Sequence, residues 1–296
     1  MTASGPIGIV GLGLLGTALA QRLVGAGYGV IGFDTDVGKQ RAIERVGALG
    51  ATSLVDAVRS CDVLFLAVFD TDQVEAVVEE LLAVVGPVPG KTILCSSTCD
   101  PDRVAALAER VAPQRLHLLD TPVSGTSQQV RQGRGVALVG GEKHKVREVA
   151  HLLGAVFASF VHVGPAGSAG RAKLAVNLIL GLNRLALAEG LVFAERLGLD
   201  PAQFLDIARQ AASYSQVMDT KGPKMVRGDF APEGRVRQTL KDVQLMLAHA
   251  RKLGQDLPLA RLNAEILDAC VRNGEGDQDN SAVIRELRRR GGPGRS

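Results

Sequence analysis

The 296-residue sequence contains no tryptophan, and aromatic residues make up only 3% of it. So few rings argue against a stacking surface for single-stranded nucleic acid. An excess of one charge is also missing, since 34 Lys and Arg residues are balanced by 31 Asp and Glu residues. The one dense basic run, Arg288–Arg290, precedes a glycine-rich tail, and we interpret both as a short solvated terminus. We therefore expect no nucleic-acid partner.

Cysteine pairs and long apolar runs are scarce as well. The 4 cysteines form no CxxC pair and have no histidines at metal-ligand spacing, so we expect reduced thiols and no metal. The N-terminus lacks a basic segment followed by an apolar stretch, which argues against a secretory signal. No window approaches about 18 charge-free apolar residues. These absences predict a cytoplasmic protein that has no membrane partner.

Apolar residues are abundant, at 46% of the chain, and their pattern divides the sequence. In the first half, short continuous apolar runs alternate with helical patterns, which predicts buried parallel strands joined by βαβ crossovers. This is the α/β fold class, with an N-terminal Rossmann-type doubly wound sheet. We predict strands at 7–10, 30–33, 63–68, 92–95, 116–119 and 136–139, with helices at 14–24, 74–84 and 102–111.

Beyond about residue 164 only helical patterns appear, so we predict an all-helical C-terminal domain. The domains are then an NAD-binding Rossmann domain at 1–163 and a substrate and oligomerisation domain at 164–296. The first helical stretch, 168–197, is apolar nearly all round and is expected to be buried on every side. Further helices are predicted at 201–212, 236–253, 258–273 and 281–290. The long apolar helix also predicts a homodimer or homotetramer, with the active-site cleft between the domains.

A glycine-rich turn follows the first predicted strand and opens a helix: Gly11-Leu12-Gly13-Leu14-Leu15-Gly16. Gly11 permits the tight turn, Gly13 lets a pyrophosphate approach the backbone, and Gly16 lets the helix pack closely on the strand. The helix N-terminus offers unpaired N–H groups to the phosphates. A glycine-rich turn without any ligand is the alternative, but the strand, spacing and helix together favour a dinucleotide cofactor.

Asp34 ends the second predicted strand, where a carboxylate can bind the hydroxyl groups of an adenosine ribose. A 2′-phosphate would meet a like charge there, and the neighbours Phe33 and Thr35 supply no compensating arginine. We therefore predict NAD rather than NADP as the cofactor. Asp34 as a simple helix cap is the alternative, although Asp36 is better placed for that role.

Two more polar clusters are candidates for substrate binding. Ser124 and Gly125 follow a predicted strand and can hold a carboxylate, although an ordinary turn is an equally good interpretation. Lys173 and Asn177 lie four residues apart on the apolar helix, and therefore on one face of it. A lysine in such a helix is expected to line a cavity, where burial favours its neutral form and suits it to general acid catalysis.

Five motifs together resemble the β-hydroxyacid dehydrogenase family, which includes 3-hydroxyisobutyrate dehydrogenase and tartronate semialdehyde reductase. The resemblance covers residues 7–287 and rests on GLGLLGTALA (11–20), SST (96–98), DTPVSG (120–125), GPAGSAGRAKLAVN (164–177) and LKD (240–242), in that order. The segment GDQDNSAVIREL (276–287) looks most like the L-threonate dehydrogenase branch.

The resemblance implies NAD-dependent oxidation of a small β-hydroxy acid, or the reverse reduction. Lys173 then matches the catalytic proton donor and acceptor, and Asn177 matches the residue that orients the substrate. The other implied site residues are Ser124 and Gly125 at the substrate carboxylate, Thr98 and Lys241 near the nicotinamide, and Val68 and Phe69 in a loop beside the cofactor. The hydride chemistry itself belongs to the cofactor.

Two departures from the family pattern put the substrate in question. Thr126, the third predicted substrate-binding residue, stands where relatives often have a second glycine, and its bulk would narrow or re-aim the substrate loop. Gly234 stands where an aromatic residue is common, which would enlarge the pocket or leave another residue to close it. An imine reductase of the same architecture is the alternative enzyme, although Lys173 argues against it. A non-catalytic dinucleotide-binding protein is the alternative outside the enzymes, and it would not need Lys173, Asn177 and Lys241.

Overall fold

A computed structural model of the chain describes residues 5–85 and 90–291, with the backbone alone at 84 and 85. The chain divides into two compact units, residues 1–173 and 174–296. The predicted fold class is confirmed, because the first unit contains a mostly parallel Rossmann-type sheet and the described part of the second is helical.

The described part of the first unit contains nine strands, in the order β3-β2-β1-β4-β5-β6-β8-β7, with β9 paired to β8. The strands are β1 (Ile7–Val10), β2 (Val30–Phe33), β3 (Leu49–Gly50), β4 (Val63–Leu66), β5 (Lys91–Cys95), β6 (Leu116–Asp120), β7 (Val123–Ser124), β8 (Val136–Gly140) and β9 (Ser159–Gly164). All pairs from β3 to β6 are parallel. The prediction of parallel strands is wrong for β8, which runs antiparallel to β6 and β7. The connection from β7 to β8 is too short for a parallel crossover.

Helices cover the sheet and explain why its central strands are apolar without interruption. The first unit contains α1 (Leu14–Gly25), α2 (Val37–Glu44), α3 (Leu54–Arg59), α4 (Thr71–Val85), α5 (Pro101–Val111), α6 (Ser127–Arg131) and α7 (Lys143–Val156). Alternate residues of β4 enter two different hydrophobic cores: Phe65 packs in one, while Leu64 and Leu66 pack in the other. Both faces of this strand are therefore buried, as in other α/β sheets.

The first helix of the helical unit begins at Ser168, within the first unit. The helices are α8 (Ser168–Arg196), α9 (Pro201–Gln210), α10 (Gln216–Thr220), α11 (Gly222–Arg227), α12 (Val236–Lys252), α13 (Pro258–Arg272) and α14 (Val283–Arg290). The four longer helices after α8 were predicted, whereas the short α10 and α11 were missed. Helices of five and six residues carry too few turns for an apolar period to stand out.

The prediction that α8 is buried on every side is wrong. Ile179 is 63% exposed and Phe193 is 64% exposed, so the helix presents apolar residues to the surface of the chain as well as to its core. By length and composition, α8 is the one helix among the described residues that could cross a membrane. This is weak evidence, since the core helix of a soluble protein can have the same properties.

The basic run near the end of the chain lies in a helix, and Arg289 and Arg290 are exposed to solvent. Arg288 pairs with Glu195, Arg290 with Glu286, and Arg289 with both Glu275 and Glu286. The three arginines belong to α14. The pairs with Glu195 and Glu275 fasten this helix to the rest of its unit, whereas the pairs with Glu286 lie within α14. The run is therefore solvent-exposed, as predicted, but it belongs to a helix and is ion-paired, whereas residues 292–296 of the predicted tail lie outside the described part of the chain.

Candidate active site

The glycine-rich turn joins β1 to α1, with Gly13 at the N-cap of the helix. Gly11 has a φ of +92°, which side chains other than glycine rarely adopt, and a Cβ there would lie 2.6 Å from the Ala67 carbonyl oxygen. A Cβ at Gly16 would lie 1.9 Å from the Gly11 carbonyl oxygen. These two glycines are therefore required by the packing of the turn itself.

Gly13 differs from its two neighbours because its own backbone and surroundings would tolerate a side chain. Its φ is −73°, and a Cβ there would meet no atom within 4 Å. The space beside this backbone, at the N-terminus of α1, fits the pyrophosphate of a dinucleotide, which needs close approach to N–H groups. The residues of the turn therefore fit the predicted cofactor.

Asp34 lies at the end of β2 and contacts the glycine-rich turn directly. Its Oδ2 accepts a 2.7 Å hydrogen bond from the Leu12 N–H, and its Oδ1 accepts one of 2.9 Å from the Asp36 N–H. Lys39 Nζ lies 3.3 Å from the Asp34 carboxylate, a cation that the residues adjacent to Asp34 in the sequence do not indicate. Asp36 caps α2 by accepting a hydrogen bond from the Gly38 N–H, as predicted.

The segment after β4 lies against the same turn. The Ala67 backbone contacts the position of Gly11, so the following Val68 and Phe69 continue beside the glycine-rich turn. The Ser97 hydroxyl donates to the Val68 carbonyl oxygen at 2.8 Å, which connects this loop to the segment that carries Thr98 after β5. Because β4 and β5 are adjacent and parallel, their carboxyl ends meet at one edge of the sheet.

The predicted substrate loop follows β6 and includes β7. Ser124 is half-buried, and Gly125 has a φ of +134°, which favours glycine at this position. Thr126 caps α6: its hydroxyl accepts a hydrogen bond from the Gln129 N–H, and its own N–H donates to Gln129 Oε1. The Thr126 hydroxyl therefore caps the start of a helix, whereas its predicted contact with the substrate stays a prediction.

Asp120 ties the sheet to the start of α8. One of its carboxylate oxygens accepts a 2.9 Å hydrogen bond from the Gly170 N–H, three residues before Lys173. Burial raises the pKa of Asp120, although hydrogen bonds from the Gly170 and Gly167 N–H groups act in the opposite direction. Asp120 lies in the DTPVSG motif, but no sequence pattern indicates its role, because only the folded sheet brings it to this helix.

Lys173 is only 5% exposed, so the prediction that this lysine is enclosed agrees with the structure. It lies in the second turn of α8, in the part of the helix that belongs to the first unit. Helical geometry places Asn177 one turn further along the same face.

Asn177 is held by a carboxylate that the sequence analysis did not identify. Its Nδ2 donates a 3.2 Å hydrogen bond to Asp242 Oδ2, whereas its Oδ1 is enclosed without a hydrogen-bond partner among the described residues. Lys241 Nζ lies 3.0 Å from Asp242 Oδ1. The described part of the helical unit therefore brings Asn177, Lys241 and Asp242 together. The only sequence signal for Asp242 was its place in the LKD motif.

Comparison with known proteins accounts for nearly the whole chain. The family model described as the NAD binding domain of 6-phosphogluconate dehydrogenase matches residues 6–164. The model described as NAD-binding of NADP-dependent 3-hydroxyisobutyrate dehydrogenase matches residues 167–287.

Individual relatives align along almost their full length. The chain is 30% identical over 285 residues to 2-hydroxy-3-oxopropionate reductase of Escherichia coli, an alignment that covers 95% of this chain and 96% of that protein. It is 29% identical over 281 residues to L-threonate dehydrogenase of Cupriavidus necator, with 94% and 95% covered. A crystal structure of 3-hydroxyisobutyrate dehydrogenase from Salmonella typhimurium matches with a TM-score of 0.86 and 28% identity, covering 95% of this chain and 99% of that one.

The fold, the glycine-rich turn and these relatives define an NAD(P)-dependent oxidoreductase that acts on CH–OH groups. The chain belongs to the β-hydroxyacid dehydrogenase family. The resemblance inferred from the five sequence motifs and the predicted class of enzyme are therefore confirmed.

Substitution of Gly13 separates cofactor binding from folding. We expect Gly13→Ala to keep its unfolding free energy within about 0.5 kcal/mol of the parent, because the added Cβ meets no atom. The methyl group takes space that the pyrophosphate needs, so the Kd for NADH should rise about tenfold or more. Urea denaturation and NADH fluorescence titration measure the two effects.

Gly16→Ala is the matched control, because its Cβ would collide with the Gly11 carbonyl oxygen. This variant should lose stability by about 2 kcal/mol or more, through the overpacking of a tight contact. A Gly13→Ala protein that binds NADH as tightly as the parent would show that the turn does not hold the pyrophosphate.

Proposed function

We propose that the protein is an NAD-dependent dehydrogenase that oxidises a small β-hydroxy acid, or reduces the corresponding semialdehyde or keto acid. The observation that carries the proposal is the enclosed Lys173 on α8, one helical turn before an Asn177 whose amide is held by Asp242. The Lys173 amine is enclosed on the helix that also carries Asn177. An enclosed amine one helical turn from an amide that can orient a substrate is suited to act as a general acid and base.

The cofactor site in this proposal is built from the first unit. The N–H groups at the start of α1 and the open space at Gly13 receive the pyrophosphate, while Asp34 binds the ribose. Val68, Phe69 and Thr98 border the nicotinamide end in this proposal, and Lys241 is the further cofactor-binding residue that the family resemblance implies. When bound, the nicotinamide supplies the acceptor or donor of a hydride.

The chain's own residues hold the substrate and move one proton. Ser124 and the Gly125 N–H bind the substrate carboxylate through hydroxyl and amide donors. The Asn177 side chain, fixed on its donor side by Asp242, orients the reacting carbon and its oxygen. Lys173 donates a proton to the carbonyl oxygen during reduction and receives the hydroxyl proton during oxidation.

A purely nucleotide-binding role fits these observations less well. The glycine-rich turn alone would satisfy such a role, and the helical unit would not need Asn177, Asp242 and Lys241 in contact. An imine reductase shares the architecture, but the lysine at position 173 favours the dehydrogenase. We also propose a cytoplasmic location, in keeping with 4 cysteines that are all free thiols and buried.

Removal of the Lys173 ammonium should abolish the proton transfer and little else. We expect Lys173→Ala to lower kcat by about 10²- to 10⁴-fold, the usual contribution of a positioned general acid or base, while NADH still binds. The assay follows NADH absorbance with 3-hydroxyisobutyrate, L-threonate, D-glycerate and related hydroxy acids. Near-normal turnover by Lys173→Ala would remove Lys173 from the mechanism, and no turnover of any acid by the parent would refute the proposed activity.

The carboxylate of Asp34 should make the enzyme prefer NAD to NADP. We expect the parent to have a higher kcat/KM with NAD than with NADP, because a 2′-phosphate would lie beside this carboxylate. Asp34→Ala should shift that ratio toward NADP by about tenfold, since Lys39 is then released to meet the phosphate. The double variant Asp34→Ala/Lys39→Ala is the control and should lose the gain. A parent enzyme that already prefers NADP would contradict the assignment.

The exposed apolar side chains of α8 support a homodimer or homotetramer as the working form. Ile179, Phe193 and their neighbours on this helix form a surface that water would cover only at a cost in free energy. Light scattering across a range of concentrations should give twice or four times the mass of one chain. A constant monomer mass would contradict this proposal.

A further inference from the structure

Asp120 is a buried carboxylate at the end of β6 that has no part in the mechanism above. Its backbone pairs with Cys95 of β5 on one side and with Gly140 of β8 on the other, so the residue is fixed within the sheet. A Cβ at Gly140 would lie 2.1 Å from Asp120 Oδ1, which shows how closely the carboxylate lies over this glycine. Burial of a carboxylate is costly unless hydrogen-bond donors meet it, and the donors here come from α8.

The first turn of α8 supplies these donors. Asp120 Oδ2 accepts a 2.9 Å hydrogen bond from the Gly170 N–H, and the N–H groups of Gly167 and Ala169 also stabilise the ionised carboxylate. The first N–H groups of any helix have no partner within that helix and need an acceptor from elsewhere. Gly167, directly before the helix, has no side chain that could provide one. Asp120 takes this role from a position 50 residues before Gly170.

Packing against α5 limits the position of the same turn from a second side. A Cβ at Gly167 would lie 2.5 Å from the Pro101 carbonyl oxygen, and one at Gly170 would lie 3.2 Å from the Pro101 Cβ. Arg171 also pairs with Asp102 of α5 at 2.9 Å. The start of α8 is therefore held by β6 and α5, and all of these residues belong to the first unit.

Lys173 follows this turn directly and belongs to the same unit, which ends at this residue. It lies three residues after Gly170, and therefore on the same face of the helix. Long side chains on a helix point back toward its N-terminus, which directs the Lys173 side chain toward the turn that Asp120 holds. A catalytic group must be kept within about 0.5 Å of its productive position. The contacts that fix this turn therefore also determine where the lysine amine lies.

We propose that Asp120 is a positioning residue for Lys173: by fixing the first turn of α8 on the sheet, it keeps the lysine amine where the proton is transferred. This inference rests on the proposed dehydrogenase function and adds a residue to its mechanism. Asp120 touches neither the substrate nor the cofactor in this proposal, so its effect on the rate passes entirely through Lys173. A carboxylate that only stabilised the fold would not depend on that lysine.

Substitution of Asp120 should slow the reaction without weakening the binding of ligands. Asp120→Ala should lower kcat by about tenfold to a hundredfold, the effect of misplacing a catalytic group, and leave KM and the Kd for NADH within about threefold. Asp120→Asn keeps an oxygen that can accept from the Gly170 N–H, so it should recover part of the loss. Asp200→Asn is the matched control, because Asp200 caps α9 by accepting from the Gln203 N–H at 2.8 Å, and it should leave kcat unchanged.

A double-mutant cycle shows whether the effect passes through the lysine. Adding Asp120→Asn to Lys173→Ala should leave kcat within about twofold of Lys173→Ala alone, because no amine remains to be misplaced. If Asp120→Asn lowers kcat by the same factor in both backgrounds, Asp120 acts independently of Lys173 and the proposal is wrong.

Gly140→Ala is a second variant, which retains the carboxylate but displaces it. The added Cβ would meet Asp120 Oδ1, the end of a side chain that can move aside, and the φ of Gly140 lies outside the left-handed region, so the variant should fold. It should lower kcat in the same way as Asp120→Ala. Turnover at the rate of the parent by Asp120→Ala or by Gly140→Ala would overturn the proposal.

The accessibility of the Lys173 amine tests the inference without any turnover. Reductive methylation with formaldehyde and a borohydride modifies exposed amines, whereas Lys173 is only 5% exposed. Mass spectrometry should show its methylation rate rising about fivefold or more in Asp120→Ala, relative to the exposed Lys143 in the same sample. An unchanged rate would overturn the positioning role, even if the parent oxidises a hydroxy acid. If the rate rises but the parent oxidises none, the positioning of Lys173 stands and the proposed function fails.

Discussion

The cost of enclosing polar groups along α8 governs much of what this protein can do. The helix is apolar over most of its length, yet it carries Lys173, Asn177 and Arg184, each removed wholly or partly from water. Burial of such groups is tolerated when a partner takes the hydrogen bond or the charge. The Asn177 amide has Asp242 as that partner, whereas the Nη2 of Arg184 has none among the described residues.

In the first unit, steric limits on the backbone determine which residues the glycine-rich turn can carry. Gly11 and Gly16 are needed because any side chain there would collide with neighbouring carbonyl groups. Gly13 is needed only if something else occupies the space beside it. The difference between these glycines connects the geometry of the turn to a ligand, since two of them are explained by the packing of the protein and the third is not.

Sequence patterns predicted the sheet and the long helices because those elements have strong apolar periods. The runs at β1, β2 and β4 and the longer helices after residue 164 are where the patterns placed them, to within a few residues. The direction of β8, the two-residue strands and the short helices α10 and α11 were not predictable, because local patterns in so few residues do not distinguish between pairings. The exposure of Ile179 could not be foreseen either, since an all-apolar helix carries no mark of which face meets the core.

The amino-acid sequence by itself determined the Rossmann class, the glycine-rich turn, the family and the candidate residues Lys173, Asn177 and Ser124. These follow from local spacing and from motifs that lie within a few residues of one another. Only the tertiary structure decided that Asp120 holds the start of α8 and that Asp242 fixes Asn177. Each of these contacts joins residues on different elements, so it depends on how the chain packs, which no local pattern encodes.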